Sequence, residues 1–208
     1  MTQTNKIKMA AMFFLSACMI QACSRKKSEE PTCNFVTNSV SQRVSWDNDV
    51  PVLMMIHESV PQEYWETIEK AAEEWNKTLG RDVLKISIKG VTDPAVAEKD
   101  SYSVIYWMDQ WEEENTREQA RTSIYWVGQK IVEADIKINA AKFRFAAYDS
   151  EVTLRDVDLY SLMVHEFGHA LGLAHVNLFE SVMNPELAKG VERRTISQLD
   201  FNSARCEY

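Results

Sequence analysis

The stretch "HEFGHALGLAH" (residues 165–175) contains three of the four histidines of this 208-residue chain. His165 and His169 are four residues apart, so on a helix both imidazoles lie on one face, one turn from each other. Gly172 permits the left-handed turn that ends a helix, after which the chain can bring His175 to the other two rings. Three histidines leave a fourth coordination position open. The stretch therefore predicts a catalytic zinc site.

Glu166 follows the first of these histidines. One residue further along a helix means a rotation of about 100°, so its carboxylate is expected beside the metal and not bound to it. Zinc lowers the pKa of a coordinated water towards about 7, and a carboxylate at that place can accept the proton. These residues predict zinc-dependent hydrolysis of peptide bonds by metal-activated water, with Glu166 as the general base.

The motif resembles the HExxHxxGxxH signature of the metzincin metallopeptidases, and the chain resembles their matrixin branch. "ESVMNP" (180–185) is similar to the methionine turn of that family, in which Met183 would pack below the metal ligands. "TISQLD" (195–200) is similar to the start of the family's last helix. The resemblance covers about residues 48–208 and implies a zinc endopeptidase that acts on protein or peptide substrates.

The resemblance also implies how a substrate binds. "EADIKINA" (133–140) is similar to the edge strand of the matrixins, so an extended substrate is expected antiparallel to residues Asp135–Asn139. Val176 departs from the serine usual after the third histidine, and Asn184 replaces a tyrosine. His57 is the one histidine outside the motif, so a second, structural zinc is not expected, and calcium sites are not identifiable from the sequence.

The order of predicted elements indicates the fold class. The residues "PQEYWETIEKAAEEWNKTLG" (61–80) carry an apolar stripe typical of a helix that packs on a sheet. Two further helices are predicted at 156–175 and 195–206, residues 140–153 are predicted to be irregular, and strands are predicted at 51–59, 82–90, 101–108, 123–127 and 131–139. The prediction is one α/β (α+β) domain of zincin-like type. It has a small, twisted, mostly parallel sheet with an antiparallel edge strand, backed by two long helices plus a C-terminal helix.

The N-terminal residues resemble a bacterial lipoprotein signal. A short basic start precedes the apolar run "MAAMFFLSACMI" (9–20), which is too short to span a bilayer. Lipidation is expected at Cys23, with Cys18 as the alternative. The predicted organisation is a signal peptide at 1–22, a tether at 23–48 and the catalytic domain at 49–208.

Cysteine counting supports Cys23 as the lipidated residue. With Cys18 removed in the signal, Cys33 and Cys206 remain, and an exported protein favours their pairing as a disulfide. A role for Cys33 as a zinc-binding latency switch is the less favoured alternative. The expected location is outside the cytoplasm, on a membrane facing the periplasm or at the cell surface. A soluble secreted protein is the alternative.

Composition excludes one class of partner. The formal net charge is −8 and no large lysine or arginine patch lies outside Arg25-Lys26-Lys27, so nucleic acid is not an expected partner. A monomer is expected. Two other functions stay open at this stage: a zinc-stabilised lipoprotein that binds a partner without peptidase activity, and a zinc hydrolase that acts on a non-peptide amide.

Overall fold

A five-stranded sheet forms the centre of the protein. The computed structural model describes residues 33–93, 96–115 and 117–208. The strands are β1 (Val52–His57), β2 (Leu84–Val91), β3 (Ser103–Met108), β4 (Ala120–Val127) and β5 (Lys130–Asn139). Their order is β2-β1-β3-β5-β4, and within this sheet only the pairing of β4 with β5 is antiparallel. The predicted mostly parallel sheet with an antiparallel edge strand is confirmed.

In the described part of the chain, three helices accompany the sheet: α1 (Trp65–Leu79), α2 (Leu159–Ala170) and α3 (Gln198–Ala204). Short 3-10 turns lie at Gln62–Tyr64 and Glu113–Asn115. The middle of the predicted stripe of α1 is buried, and its Trp75 indole nitrogen donates to the Val164 carbonyl of α2 at 2.9 Å. Trp75 therefore ties together the two long helices within one hydrophobic core.

The edge strand is not the one expected from the sequence. β5, which contains Asp135–Asn139, lies between β3 and β4, and β4 is the outer strand. β4 and β5 form a hairpin around Gly128, and because β5 also pairs with β3, β4 takes the outer position. Burial of β5 along most of its length agrees with an interior position. The prediction that substrate pairs with Asp135–Asn139 is therefore wrong, and the edge strand that lines the cleft over the histidines is β4.

The segment before β1 is more ordered than a tether. Phe35, Val44 and Trp46 are core residues, and the Trp46 indole nitrogen donates to the Ala170 carbonyl at 2.7 Å. The second half of the predicted tether at 23–48 is therefore part of the domain. Sequence reasoning missed this because these apolar residues are spaced among polar ones and pack on distant parts of the chain.

Residues predicted to be irregular contain a small additional sheet. β6 (Arg144–Ala146) pairs in parallel with β7 (Asp156–Asp158), so the predicted helix at 156–175 begins later, at Leu159. Asp158 caps α2 by accepting from the Ser161 backbone nitrogen. The predicted signal peptide and both candidate lipidation sites lie outside the described residues. Within the described ranges, no helix combines the length and apolarity needed to cross a membrane.

Two buried carboxylates lie side by side on β5. Glu133 is 1% and Asp135 is 2% exposed. The Asp135 Oδ1 atom accepts from the Val104 backbone nitrogen, whereas Oδ2 has no partner among the described residues. Burial raises the pKa of Asp135 to about 7, the Val104 amide opposes this, and the charges of Glu133 and Asp100 add to it. The folded protein thus holds this proton more tightly than the unfolded chain, whose aspartates titrate near about 3.9.

We therefore expect Asp135→Asn to stabilise the protein at pH 8. The stability contributed by the protonated carboxyl is complete below about pH 4 and is lost as the pH rises through about 7. The free energy of unfolding of the variant should exceed that of the wild type by on the order of 1 kcal/mol at pH 8, and this difference should shrink towards pH 5. Denaturant unfolding across this range measures it, with the exposed Asp109→Asn as the matched control. A pH-independent difference would contradict the prediction.

Candidate metal centre

Three histidine rings converge at the end of α2. The Nε2 atoms of His165 and His175 each lie 3.0 Å from Nε2 of His169. The ring centroids are 4.6–5.3 Å apart. The structure thus brings together the three histidines predicted from the sequence. Among the described residues, they form the one group of three or more histidine, cysteine or acidic side chains whose ligand atoms meet.

Backbone carbonyls fix the orientation of two of the rings. The Nδ1 atom of His165 is 2.7 Å from the Val182 oxygen, and that of His169 is 2.8 Å from the Leu173 oxygen. Because a carbonyl only accepts, each Nδ1 carries the proton and donates it. Both Nε2 atoms are therefore lone-pair donors that point into the shared space.

Burial keeps the rings neutral. Together with a smaller contribution from the neighbouring histidines, it lowers the pKa of His165 and of His169 to about 4. The same cause lowers the pKa of His175. Neutral imidazole is the form that binds metals, so the site is ready for a cation at neutral pH.

The donor set fits zinc. Tetrahedral zinc with nitrogen ligands at 2.0–2.1 Å needs nitrogen atoms about 3.3 Å apart, close to the 3.0 Å seen here. The lone pairs of His165 and His169, which face each other at this distance, repel unless a cation lies between them. The described residues supply no fourth protein ligand, as a catalytic site requires.

The two glycines of the motif have separate roles. Gly172 follows α2 with φ of +94°, and a side chain there would meet the Val44 carbonyl oxygen at 2.7 Å. Gly168 lies within α2, where an added Cβ would be 2.3 Å from the sulfur of Met183. Met183 is buried directly against the helix turn that carries His165 and His169. This is the packing position that the resemblance implied for it.

α3 supports the turn around Met183. Its Asp200 accepts from the Ser181 hydroxyl and from the Val182 backbone nitrogen, the latter at 2.9 Å. The Val182 carbonyl in turn accepts from His165. A buried carboxylate on the last helix is thus connected, through one backbone residue, to the orientation of the first histidine.

Glu166 is buried beside the histidines at 4% exposure. The Thr122 hydroxyl on β4 donates to its Oε2 atom at 2.6 Å. Burial raises the pKa of Glu166, while His169 and the Thr122 hydrogen bond oppose this. The sequence singled out Glu166, but not Thr122, because the two residues are 44 positions apart and no local pattern connects them.

The third histidine is supported from the N-terminal side. The Val36 backbone nitrogen donates to the Gly172 carbonyl at 2.8 Å, and the Ala174 nitrogen donates to the Asn34 carbonyl at 2.9 Å. Cys33 begins this segment and forms a disulfide with Cys206. The chain just before His175 therefore pairs with a segment that is covalently attached to the C-terminal end of the domain. In this state Cys33 is not a metal ligand.

A cleft of about 700 Å³ lies over the histidines. β4 forms one wall through Ala120, Arg121, Thr122 and Ile124. The residues after the methionine turn, 184–188, form part of the opposite wall, and Gln119 reaches across to the Leu187 carbonyl at 2.7 Å. The three rings and the buried glutamate thus face a groove bordered by the free edge of the sheet.

A mostly parallel sheet with an antiparallel edge, a three-histidine centre and a methionine turn together define a zincin-like metalloprotein. The sequence model of the matrixin family matches residues 26–208. The chain therefore belongs to the matrixin family, whose members are zinc metallopeptidases that act on proteins or peptides. The match also includes most of the predicted tether, from residue 26 onward. A comparison with curated proteins gives no significant match.

Removing the disulfide should weaken metal binding. Without it, the segment paired with the chain before His175 is held only by hydrogen bonds. We expect the double variant Cys33→Ser/Cys206→Ser to bind zinc about tenfold more weakly, the lower end of the range for changes in supporting contacts. Competition with a chromophoric chelator measures the dissociation constant.

The control for this prediction is the phosphine reductant TCEP. It should weaken zinc binding by the wild type to the same extent and leave the double variant unaffected. Equal zinc affinity in the wild type, the reduced wild type and the variant would show that the disulfide does not support His175.

Proposed function

We propose that this protein is a zinc-dependent endopeptidase whose general base is Glu166. The observation that carries the proposal is the convergence of three histidine Nε2 atoms next to a buried glutamate, on the floor of an open groove. A purely structural metal site needs neither the glutamate nor the groove. An endopeptidase cleaves within a chain, so its substrate must extend on both sides of the cleaved bond. A groove that runs along the edge of a strand can bind such a substrate.

The substrate is proposed to bind as an extended strand along β4. One side of β4 pairs with β5, and its other side is an edge of the sheet. Backbone amides and carbonyls at such an edge can pair with an added strand. Antiparallel pairing would carry the scissile peptide past Thr122 and the histidines.

The residues of the chain divide the proposed chemistry among them. His165, His169 and His175 would hold zinc, which supplies a Lewis acid that lowers the pKa of water and polarises the peptide carbonyl. Thr122 holds Oε2 of Glu166, which leaves Oε1 to take a proton from the attacking water. As the peptide C–N bond breaks, Glu166 returns this proton to the leaving amine. The water oxygen ends in the new carboxylate.

The competing function is a lipoprotein that uses zinc only to hold a binding surface. It predicts a site closed by a fourth protein ligand, which the described residues do not supply. It also offers no reason to bury Glu166 under the Thr122 hydroxyl. Peptidase activity is therefore the better-supported proposal.

We also propose export and lipid anchoring at Cys23. The signal-like N-terminal sequence supports this, as does the Cys33–Cys206 disulfide, since disulfides persist in oxidising compartments. Labelling with palmitate and sensitivity of processing to globomycin would test it. The absence of both would contradict the anchor and favour a secreted protein.

Glu166→Gln should abolish turnover and retain the metal. The substitution keeps the shape of the side chain but removes the base, so kcat/KM for a cleaved peptide should fall by about 10²–10⁴-fold. Elemental analysis should still find one zinc per chain. The matched control is Glu73→Gln on the exposed face of α1, which should match the wild type. Near wild-type turnover by Glu166→Gln would refute the assigned base.

Thr122→Val should lower kcat with little change in zinc content or KM. The valine has nearly the same shape but cannot donate to Glu166, so the base loses its fixed orientation. We expect roughly a tenfold decrease, as for other changes in supporting contacts. Thr122→Ser retains the hydroxyl and should restore most of the rate. Equal rates for the valine and serine variants would contradict this positioning role.

A further inference from the structure

Arg193 lines the same cleft as the histidines. Its backbone nitrogen donates to the Ser161 hydroxyl at the start of α2. Its guanidinium donates to the Glu186 carbonyl through Nη2 at 2.9 Å and to the Asn184 carbonyl through Nη1 at 3.3 Å. These contacts fix the positively charged guanidinium of Arg193 in the wall of the cleft formed by residues 184–188.

The charge of Arg193 has no carboxylate partner within 4.0 Å in the described part of the chain. Neighbouring Arg194, in contrast, forms an ion pair with Asp158, which is fully buried. Arg193 contacts only carbonyl oxygens and lies 5.8 Å from the centre of the exposed Phe179 ring. Neither contact neutralises a charge.

Two carboxylates of this region already have partners of their own. Asp200 acts on it electrostatically, but its oxygens accept hydrogen bonds from Ser181, Val182 and Ser197. On the opposite wall, Glu118 is paired with Arg121 at 2.6 Å. Burial lowers the pKa of the Arg193 guanidinium, and the charge of Asp200 opposes this.

We propose that Arg193 is a specificity-determining residue that selects substrates with an acidic side chain next to the scissile bond. This inference rests on the proposed peptidase function and names its substrate class. The guanidinium of Arg193 uses two of its N–H groups to bind backbone carbonyls and has others left to donate. Its planar arrangement of N–H groups can bind both oxygens of a carboxylate. The aspartate or glutamate of the substrate would enter the part of the cleft between α2 and residues 184–188.

The competing interpretation is that Arg193 only braces the wall. If Arg193 only held the wall in place, replacing it would shift the wall and lower kcat/KM for every peptide to the same extent. A charge contact would affect acidic substrates selectively. The ratio of kcat/KM values for acidic and neutral peptides therefore separates the two interpretations.

The first experiment uses the wild-type zinc enzyme and a peptide library randomised around the cleavage site. We expect Asp and Glu to be enriched at one position that flanks the cleaved bond. A matched set of peptides with Asp, Asn or Lys there should then give at least a tenfold higher kcat/KM for Asp than for Asn, with Lys poorest. Cleavage without acidic enrichment would overturn this inference and leave the peptidase function intact, whereas no cleavage of any peptide would refute the proposed function itself.

Variants of Arg193 then assign the preference. Arg193→Gln should lower kcat/KM for the Asp peptide by about tenfold or more and change that for the Asn peptide by less than about threefold. Arg193→Lys should keep part of the preference, and Arg193→Glu should shift it towards the Lys peptide. The control Arg81→Gln removes the same charge from an exposed site after α1 and should leave the ratio unchanged. Equal losses on all peptides, with zinc content unchanged, would show that Arg193 is only a brace.

Discussion

The close approach of three imidazole nitrogens is the constraint on which the rest of this structure depends. Without a cation, the 3.0 Å approach of the His165 and His169 Nε2 atoms is unfavourable, because each directs a lone pair at the other. The protein keeps them there by giving the Nδ1 atoms of His165 and His169 backbone carbonyls as acceptors. The fold thus holds these rings in a geometry that a divalent cation makes favourable.

Each ring is supported by a different part of the chain. The first depends on the methionine turn, which Asp200 of α3 holds from below. The second depends on the chain just after α2, where Gly172 makes the turn. The third follows a segment that pairs with residues 34–36, which the disulfide connects to the C-terminal end. The orientation of the three rings therefore depends on contacts with distant parts of the chain and not on the local motif alone. For this reason the geometry of the site depends on the stability of the whole domain.

Sequence reasoning succeeded where spacing along one helix determines the geometry. His165, His169, Glu166 and the turn at Gly172 follow from helical periodicity and from the conformations open to glycine. It failed where partners are distant. The order of β4 and β5 in the sheet depends on which of the two strands pairs with β3, and no strand pattern specifies this. Thr122 gains its role only because β4 passes alongside α2. The core side chains before β1 were missed for the same reason.

The most direct test of this account is zinc K-edge X-ray absorption on the protein loaded with one equivalent of zinc. We expect three imidazole nitrogen ligands and one additional oxygen ligand from water. Replacing His175 by Ala should reduce the imidazole count to two. A spectrum that shows a sulfur ligand, or an imidazole count that does not change in this variant, would contradict the three-histidine site with an open position.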